Sequence, residues 1–285
     1  MFVHVRCGFA TTLTMFLGQL SLSTRLRRIF YCLAVTLLST RAVHGQTPVA
    51  IPGSAPSAVS TNARPVLSPE QITAKLAELR SKAEKGDPVS QNILGDLYNQ
   101  GRVVKEDLAE AAKWYRKSAE QGFPPGQFNL GLVYENGEGI PKDPKTAIKW
   151  YRKAAKKGFV PAEYNLGLML LKGIGGKKDL SQGAQWIKKA AEGNDTLAQI
   201  ALAGLYLNGE GFPVDKIEAL AWLNLAAQNP KYISDSVQMT YQDIQKSLSP
   251  NQISDARDRS KVLSEEMGKR LQVQEKWSPA VSPSK

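Results

Sequence analysis

Residues 124–158 read PPGQFNLGLVYENGEGIPKDPKTAIKWYRKAAKKG, and this stretch contains the signals that decide the fold. Its apolar residues recur at helical spacing, which predicts a first helix over about 124–135. Asn136-Gly137 follows, where glycine can adopt the left-handed conformation that ends a helix. Asp143-Pro144 then provides an acidic cap and a proline in the first turn, which predicts a second helix reaching about Lys157. The stretch is therefore interpreted as a helix–turn–helix unit.

The signals of this unit recur with a period of 36 residues. The tryptophans keep this step at Trp114, Trp150, Trp186 and Trp222. One glycine series is Gly101, Gly137, Gly173 and Gly209, and a second is Gly95, Gly131 and Gly167, with Ala203 in the fourth place. A further series is Tyr98, Tyr134, Leu170 and Tyr206. Four copies of the unit therefore cover about Asp87 to Asn229.

The repeated residues predict how the units pack. Glycine inside a helix costs about 1 kcal/mol relative to alanine, so Gly95 and its equivalents indicate that the second helix crosses the first at close range. The periodic tryptophans and tyrosines are expected to fill the layer between helices. Since one helix pair cannot bury its apolar face alone, the units must stack, and a small rotation per unit produces a solenoid with a concave side.

The pattern resembles that of the Sel-1-like repeat family, a branch of the tetratricopeptide-type solenoids. The resemblance rests on Asn129-Leu130-Gly131-Leu132 with Tyr134, on Asn136-Gly137-Glu138-Gly139, and on Ala147 ahead of Trp150-Tyr151 and Ala154-Ala155-Lys156-Lys157-Gly158. It implies an all-α fold, a right-handed α–α solenoid of about four 36-residue helix–turn–helix repeats with helical caps. It also implies a role as an adaptor in envelope, secretory or signalling assemblies. The third unit departs from the pattern at 173–177 and at Gly183, and the fourth ends at Asn229-Pro230 without the closing glycine.

The N-terminal segment has the composition of a signal peptide. Basic residues up to Arg28 precede an apolar run from Ile29 to Leu38 and a small-residue stretch ending at Gly45. A membrane span needs roughly 20 apolar residues, about twice this run. The mature protein is therefore expected to be secreted or periplasmic, without stable membrane insertion. A start at Met15 would give a leader of more usual length.

The rest of the chain divides by composition. Residues 46–67 are rich in Pro, Ala, Ser and Thr and are expected to form a flexible linker. A capping-box sequence at Ser68 predicts an N-terminal capping helix over 68–86. The four repeats follow over 87–230, and the predicted C-terminal segments are a helical cap over 231–272 and a disordered tail over 273–285.

Removal of the leader limits the available chemistry. It contains both cysteines and both histidines of the chain, at Cys7, Cys32, His4 and His44. Ser-His-Asp and Cys-His nucleophilic schemes and the common zinc sites are thereby excluded, so no catalytic residue, metal or cofactor is predicted. The leader also holds five of the 37 lysines and arginines and no acid, which leaves 32 against 26 acids, a net charge of +6. This mild basicity does not indicate a nucleic-acid partner.

Several features have both a functional and a structural interpretation, and the structural one is favoured for each. The lysines Lys153, Lys156, Lys157, Lys177, Lys178, Lys188 and Lys189 form either a stripe for an anionic partner or the solvated face of the second helices. The acids Glu135, Glu138, Asp143 and Glu163 are either a glycosidase-type pair or helix caps and surface. The periodic aromatics either stack on a ligand or belong to the core. The glycine-rich run 173–178 lacks the residues of a phosphate-binding loop and indicates a turn.

The leading hypothesis is a non-catalytic protein–protein interaction scaffold that holds a protein or peptide on its concave face. Polar residues one period apart are the candidates for that face, with one acid near the first of them: Gln91, Asp96, Gln127, Glu163 and Gln199. The alternatives are a protein that binds or hydrolyses cell-wall fragments and a structural spacer positioned by its tether.

Overall fold

The computed structural model describes residues 68–274. Eleven α-helices and a 3-10 helix at Pro230–Tyr232 form the regular structure of these residues, which include no β-strand. The α-helices are α1 Pro69–Glu84, α2 Pro88–Gln100, α3 Leu108–Glu120, α4 Pro124–Asn136, α5 Pro144–Lys156, α6 Val160–Lys172, α7 Leu180–Glu192, α8 Thr196–Asn208, α9 Lys216–Ala226, α10 Asp235–Ser247 and α11 Pro250–Gln274. The predicted signal peptide over 1–45 and linker over 46–67 lie outside the described residues, as does the predicted tail after 274.

The same residue types begin and end the repeat helices in every unit. Each second helix follows an aspartate whose carboxylate accepts hydrogen bonds from backbone N–H groups of the first turn: Asp107, Asp143, Asp179 and Asp215. Each first helix ends at a glycine with positive φ: Gly101, Gly137, Gly173 and Gly209. Residues with side chains rarely adopt this conformation, so glycine sets the point where the first helix stops. The third unit keeps these bounds although its loop sequence departs from the pattern.

Consecutive helices pack against one another along the chain. Each second helix, namely α3, α5 and α7, contacts the first helix of its own unit and that of the next, and this shared contact stacks the units. A leucine from each first helix lies at the centre of the stack and is at most 1% exposed: Leu94, Leu130, Leu166 and Leu202. The prediction of an all-α solenoid of stacked 36-residue helix pairs is confirmed over the described residues.

The two ends of the stack are covered by helices outside the repeats. At the start of α1, Ser68 and Gln71 form the reciprocal side-chain to backbone hydrogen bonds of a capping box. At the other end α10 buries only Ile244, whereas the 25-residue α11 packs against α9 and reaches α7. Helix α11 continues to Gln274, two residues beyond the predicted end of the C-terminal cap. Within 68–274 no helix combines the length and the apolar character that a membrane crossing requires.

Candidate partner-binding surface

The four periodic polar residues predicted to line an exposed concave face are buried. Gln91 and Gln127 are each 4% exposed, Glu163 is 2% and Gln199 is 1%. The expectation that these side chains are accessible to a partner is therefore wrong. A polar residue repeated once per unit indicated a surface, but the same period also suits a buried contact that each unit makes with its neighbour.

These side chains connect each unit to the one before it. The Nε2 of Gln91 donates to the Ala83 carbonyl oxygen (3.0 Å), and that of Gln127 donates to the Ala119 carbonyl oxygen (3.2 Å). The acceptors are carbonyl groups in the last turn of the preceding helix, and each also accepts from a backbone N–H just after that helix, that of Gly86 or Gly122. Gln199 donates instead to Asn194 Oδ1 (3.4 Å). In the third unit the residue is Glu163, which has no N–H to donate.

Glu163 is bound by a residue of the C-terminal helix. Arg270 of α11 donates from Nη2 to both carboxylate oxygens of Glu163, each at 2.8 Å, and from Nη1 to Glu192 Oε2 at 3.2 Å. Burial raises the pKa of the Glu163 carboxyl, and the charge and hydrogen bonds of Arg270 offset this only in part. Arg270 also donates to the Lys189 backbone carbonyl at the end of α7. The single acid of the series is therefore an anchor for α11.

Asp96, the fifth predicted residue, is half-buried and bound by neighbouring side chains. Its Oδ1 accepts from the Tyr115 hydroxyl (2.8 Å) and from Asn129 Nδ2 (3.2 Å). Desolvation raises the pKa of its carboxyl, and the Tyr115 hydrogen bond opposes that shift. In the next unit, the Tyr151 hydroxyl donates to Glu135 (2.6 Å) in a similar manner. These acids hold the tyrosines of the second helices in place.

The mid-helix glycines provide space for the same tyrosines. A Cβ atom on Gly95 would lie 2.7 Å from ring carbons of Tyr115, and one on Gly131 would lie 2.6 Å from the ring of Tyr151. On Gly167 it would lie 2.8 Å from the Ile187 side chain. Contacts this short do not occur at real Cβ atoms, so the second helix lies directly on the backbone of the first.

The periodic tryptophans lie on the second helices and differ in exposure. Trp222 is 0% exposed and Trp114 is 8% exposed, whereas Trp150 and Trp186 are half-buried. In the first three units a lysine one turn later places its Nζ over the indole: Lys117 over Trp114 at 3.9 Å, Lys153 over Trp150 at 3.7 Å and Lys189 over Trp186 at 4.4 Å from the ring centroid. The fourth unit has Leu225 at this position. Each indole of the first three units therefore lies beneath a lysine ammonium group, whereas the indole of the fourth unit has a leucine at the equivalent position.

A groove between α5 and α7, the α5–α7 groove, includes one of these lysine-covered indoles. It encloses about 470 Å³ and is lined by Arg152, Lys156, Gln182, Gln185, Trp186 and Lys189. A neighbouring cavity of about 380 Å³ shares Lys156, Trp186 and Lys189 with it and extends to Arg270. A third cavity, of about 340 Å³, shares Arg152 and adds Lys145, Lys149 and Lys177. The three cavities share lining residues and form one surface whose charged groups are mainly lysines and arginines; its acids, Glu163 and Glu192, are both bound by Arg270.

The positive charge of this surface has few acids to balance it. From Lys142 to Lys189 the sequence has twelve lysines and arginines and three acids. Asp143 and Asp179 cap helices, and Glu163 is bound to Arg270. None of the twelve cations takes part in an ion pair of the described residues. Of the lysines considered as an anionic-partner stripe, Lys156 and Lys189 line the groove and Lys177 lies in the adjoining cavity.

Sequence reasoning missed Arg152 and the way that α11 approaches this surface. Arg152 follows Trp150-Tyr151, which indicates core packing, so the aromatic pair obscured the significance of its charge. Each acid considered for a possible catalytic pair has a structural partner: Glu135 accepts from Tyr151, Glu138 accepts from Asn136, Asp143 caps α5 and Glu163 is bound by Arg270. Residues 68–274 also contain no group of three or more His, Cys, Asp or Glu that could hold a metal ion.

Four helix pairs that recur every 36 residues and stack through shared contacts define an α-solenoid repeat protein. The chain belongs to the Sel1 repeat family, whose model matches residues 88–123, 124–159, 160–195 and 196–230. It is similar to a Sel1 repeat protein from Oxalobacter formigenes, with 31% identity over 72% of this chain and 80% of that chain and a TM-score of 0.57.

A second similar structure is c5321, a protective antigen present in uropathogenic Escherichia coli strains and displaying an SLR fold. The identity is 30%, the match covers 75% of this chain, and the TM-score is 0.47. The match spans 53%, about half, of the length of that protein. No curated protein matches the sequence.

Proposed function

We propose that this protein is a non-catalytic scaffold that binds a partner protein through the α5–α7 groove. Proteins built from Sel1 repeats are generally protein-interaction scaffolds. The observation that carries the choice of surface is the concentration of cations without ion-pair partners around a partly exposed indole. Such cations attract an anionic segment over a distance and gain a partner when it docks.

Trp186 adds an apolar surface to the charged lining of the α5–α7 groove. This surface is partly exposed, and the side chains of Lys156 and Lys189 line the same cavity. Tryptophan and arginine are the residues that most often dominate the binding energy of protein interfaces. An acidic segment with some apolar side chains fits this lining better than a simple inorganic anion does.

The proposed place of action is the periplasm or the extracellular space. This part of the proposal rests on the leader-like sequence of residues 1–45. A fusion of residues 1–67 to a reporter that is active only after export, compared with the same reporter lacking 1–45, tests it. Reporter activity that does not depend on residues 1–45 contradicts this location.

The binding surface is tested with a charge-reversed protein. Arg152→Glu with Lys156→Glu inverts the charge of the groove, and Lys82→Glu with Lys246→Glu makes the same charge change at two exposed lysines elsewhere. Immobilised wild-type and variant proteins are exposed to an extract of the native envelope, and captured proteins are quantified by mass spectrometry. A partner that the control retains and the groove variant loses is then purified and its Kd measured. Equal capture by all three proteins rejects the α5–α7 groove as the binding surface.

A further inference from the structure

The α5–α7 groove has an equivalent one repeat later, between α7 and α9. A step of 36 residues from each lining residue leads to Lys188, Glu192, Glu218, Ala221, Trp222 and Leu225. Three of these, Ala221, Trp222 and Leu225, are between 0% and 5% exposed. The position that stays open between α5 and α7 is therefore covered between α7 and α9.

The element that covers the later position is the protein's own helix α11. Near the start of α9, Arg259 donates from Nε and Nη2 to the two oxygens of Glu218, at 2.9 Å and 3.2 Å. At the end of α7, Arg270 bonds Glu192. Between these two contacts, Leu263 and Met267 are buried in the apolar cluster that contains Trp222. Their spacing of three to four residues places all four side chains on one face of α11.

The two grooves have the same form but differ in charge. Glu218 and Glu192, which bind the arginines of α11, correspond to Gln182 and Lys156 in the α5–α7 groove. Leu225 corresponds to Lys189. Seated as α11 is, a helix would bring its Arg259 position to Gln182 and its Arg270 position to Lys156, and Lys189 would stand in place of Leu225. Arginines at these positions find no carboxylate there, so α11 of a second copy does not match the charge of the open groove. A helix with acids at these positions does match it.

The geometry points to an acidic amphipathic α-helix of a partner protein as the occupant of the α5–α7 groove, seated as α11 is seated one repeat later. This inference rests on the proposed function, which makes the groove the partner surface, and adds the form of the bound segment. The apolar side of the helix packs on Trp186, and its acids face Arg152, Lys156 and Lys189. The cavity that connects Trp186 to Arg270 makes this surface continuous with the α11 interface.

The test uses labelled peptides that copy residues 252–272 of the chain. The acidic α11 peptide carries Arg259→Glu and Arg270→Glu, the native α11 peptide has neither change, and the broken peptide adds Ser264→Pro to the acidic one. Ser264 is exposed, so the proline interrupts the helix without removing a contact residue. Binding to the full protein is measured by fluorescence anisotropy. We expect the acidic α11 peptide to bind at least about tenfold more tightly than either of the other two.

Substitutions in the protein should reverse the order in which it binds the acidic and the native α11 peptides. Lys156→Glu with Gln182→Glu gives the α5–α7 groove the acids that the later groove has. This variant should bind the native α11 peptide more tightly than the acidic one, whereas Lys82→Glu with Lys246→Glu should leave the wild-type order unchanged.

The possible results test separately whether the bound segment is a helix and whether the groove binds a partner. If the acidic and the broken peptides bind the wild type equally, or if neither binds, the inference of a helical occupant is overturned, and the capture experiment still decides whether the groove binds a partner. If Lys156→Glu with Gln182→Glu does not change the preference, the α11-like seating of the helix is overturned. If capture from the extract is also insensitive to the charge of the groove, the proposed function fails as well.

Discussion

At the scale of single residues, the first three repeats have glycine where the first helix meets a large side chain of the second. The 36-residue glycine series predicted this close approach, because glycine inside a helix needs a steric reason. The sequence could not say which side chain occupies the space. Tyr115 and Tyr151 occupy it in the first two units and Ile187 in the third, so the partner varies while the glycine stays.

The glycine contact predicts opposite effects of the same substitution at two sites. Gly131→Ala should destabilise the protein by about 1–2 kcal/mol, since overpacking against the buried Tyr151 ring outweighs the better helix propensity of alanine. Gly268→Ala should stabilise it by about 0.5–1 kcal/mol, because nothing lies within 4 Å of the new Cβ in α11. Urea unfolding followed by circular dichroism measures both. Equal stabilisation by the two changes would mean that Tyr151 does not lie against α4.

At the scale of helices, the element bounds could be predicted far better than the contacts of α11. Asp143-Pro144 and Asn136-Gly137 are local signals, and they place helix ends within one or two residues of the observed ones. The ion pair between Arg270 and Glu163 joins residues 107 positions apart, and no local pattern records such a distance. The burial of Gln91 and Gln127 was missed for a related reason, since their acceptors are backbone carbonyls, which every residue has.

The ion pair between Arg270 of α11 and Glu163 of the third unit predicts that a second substitution restores the stability lost when Arg270 is removed. Arg270→Ala should cost about 2–3 kcal/mol, because the carboxylate of Glu163 is left buried without its cation; the partial exposure of Arg270 keeps this below the value for a fully buried pair. Adding Glu163→Gln should recover most of the loss. A glutamine at this position can donate to the carbonyl of Ala155, as Gln127 does to that of Ala119.

Urea unfolding of the single and double variants, together with hydrogen exchange in α11, measures this coupling. The double variant should regain stability in the repeats while the amides near the end of α11 exchange faster than in the wild type. If the double variant is as unstable as Arg270→Ala alone, the buried carboxylate is not the source of the loss.

At the scale of the whole molecule, repetition makes differences between units informative. The four units have first helices of the same length and the same central leucines, and their second helices begin at equivalent positions, so a site is most visible where one unit departs from the others. The position between α5 and α7 is lined by three cations and no acid, whereas α11 covers the position between α7 and α9 and buries Trp222. The sequence predicted the repeated frame and named a lysine stripe as one possibility. The choice of the α5–α7 groove required the structure, because only the structure shows that α11 covers the equivalent position one repeat later.

Lysine acetylation read out by mass spectrometry tests most directly whether the second helices carry the binding surface. The full protein is labelled with and without the acidic α11 peptide. The account predicts that the peptide reduces acetylation of Lys156 and Lys189, which line the groove, and leaves Lys172 at the end of the first helix α6 and the distant Lys82 unchanged. Protection of Lys172 with none at Lys156 and Lys189 would place the peptide on the first helices and contradict it.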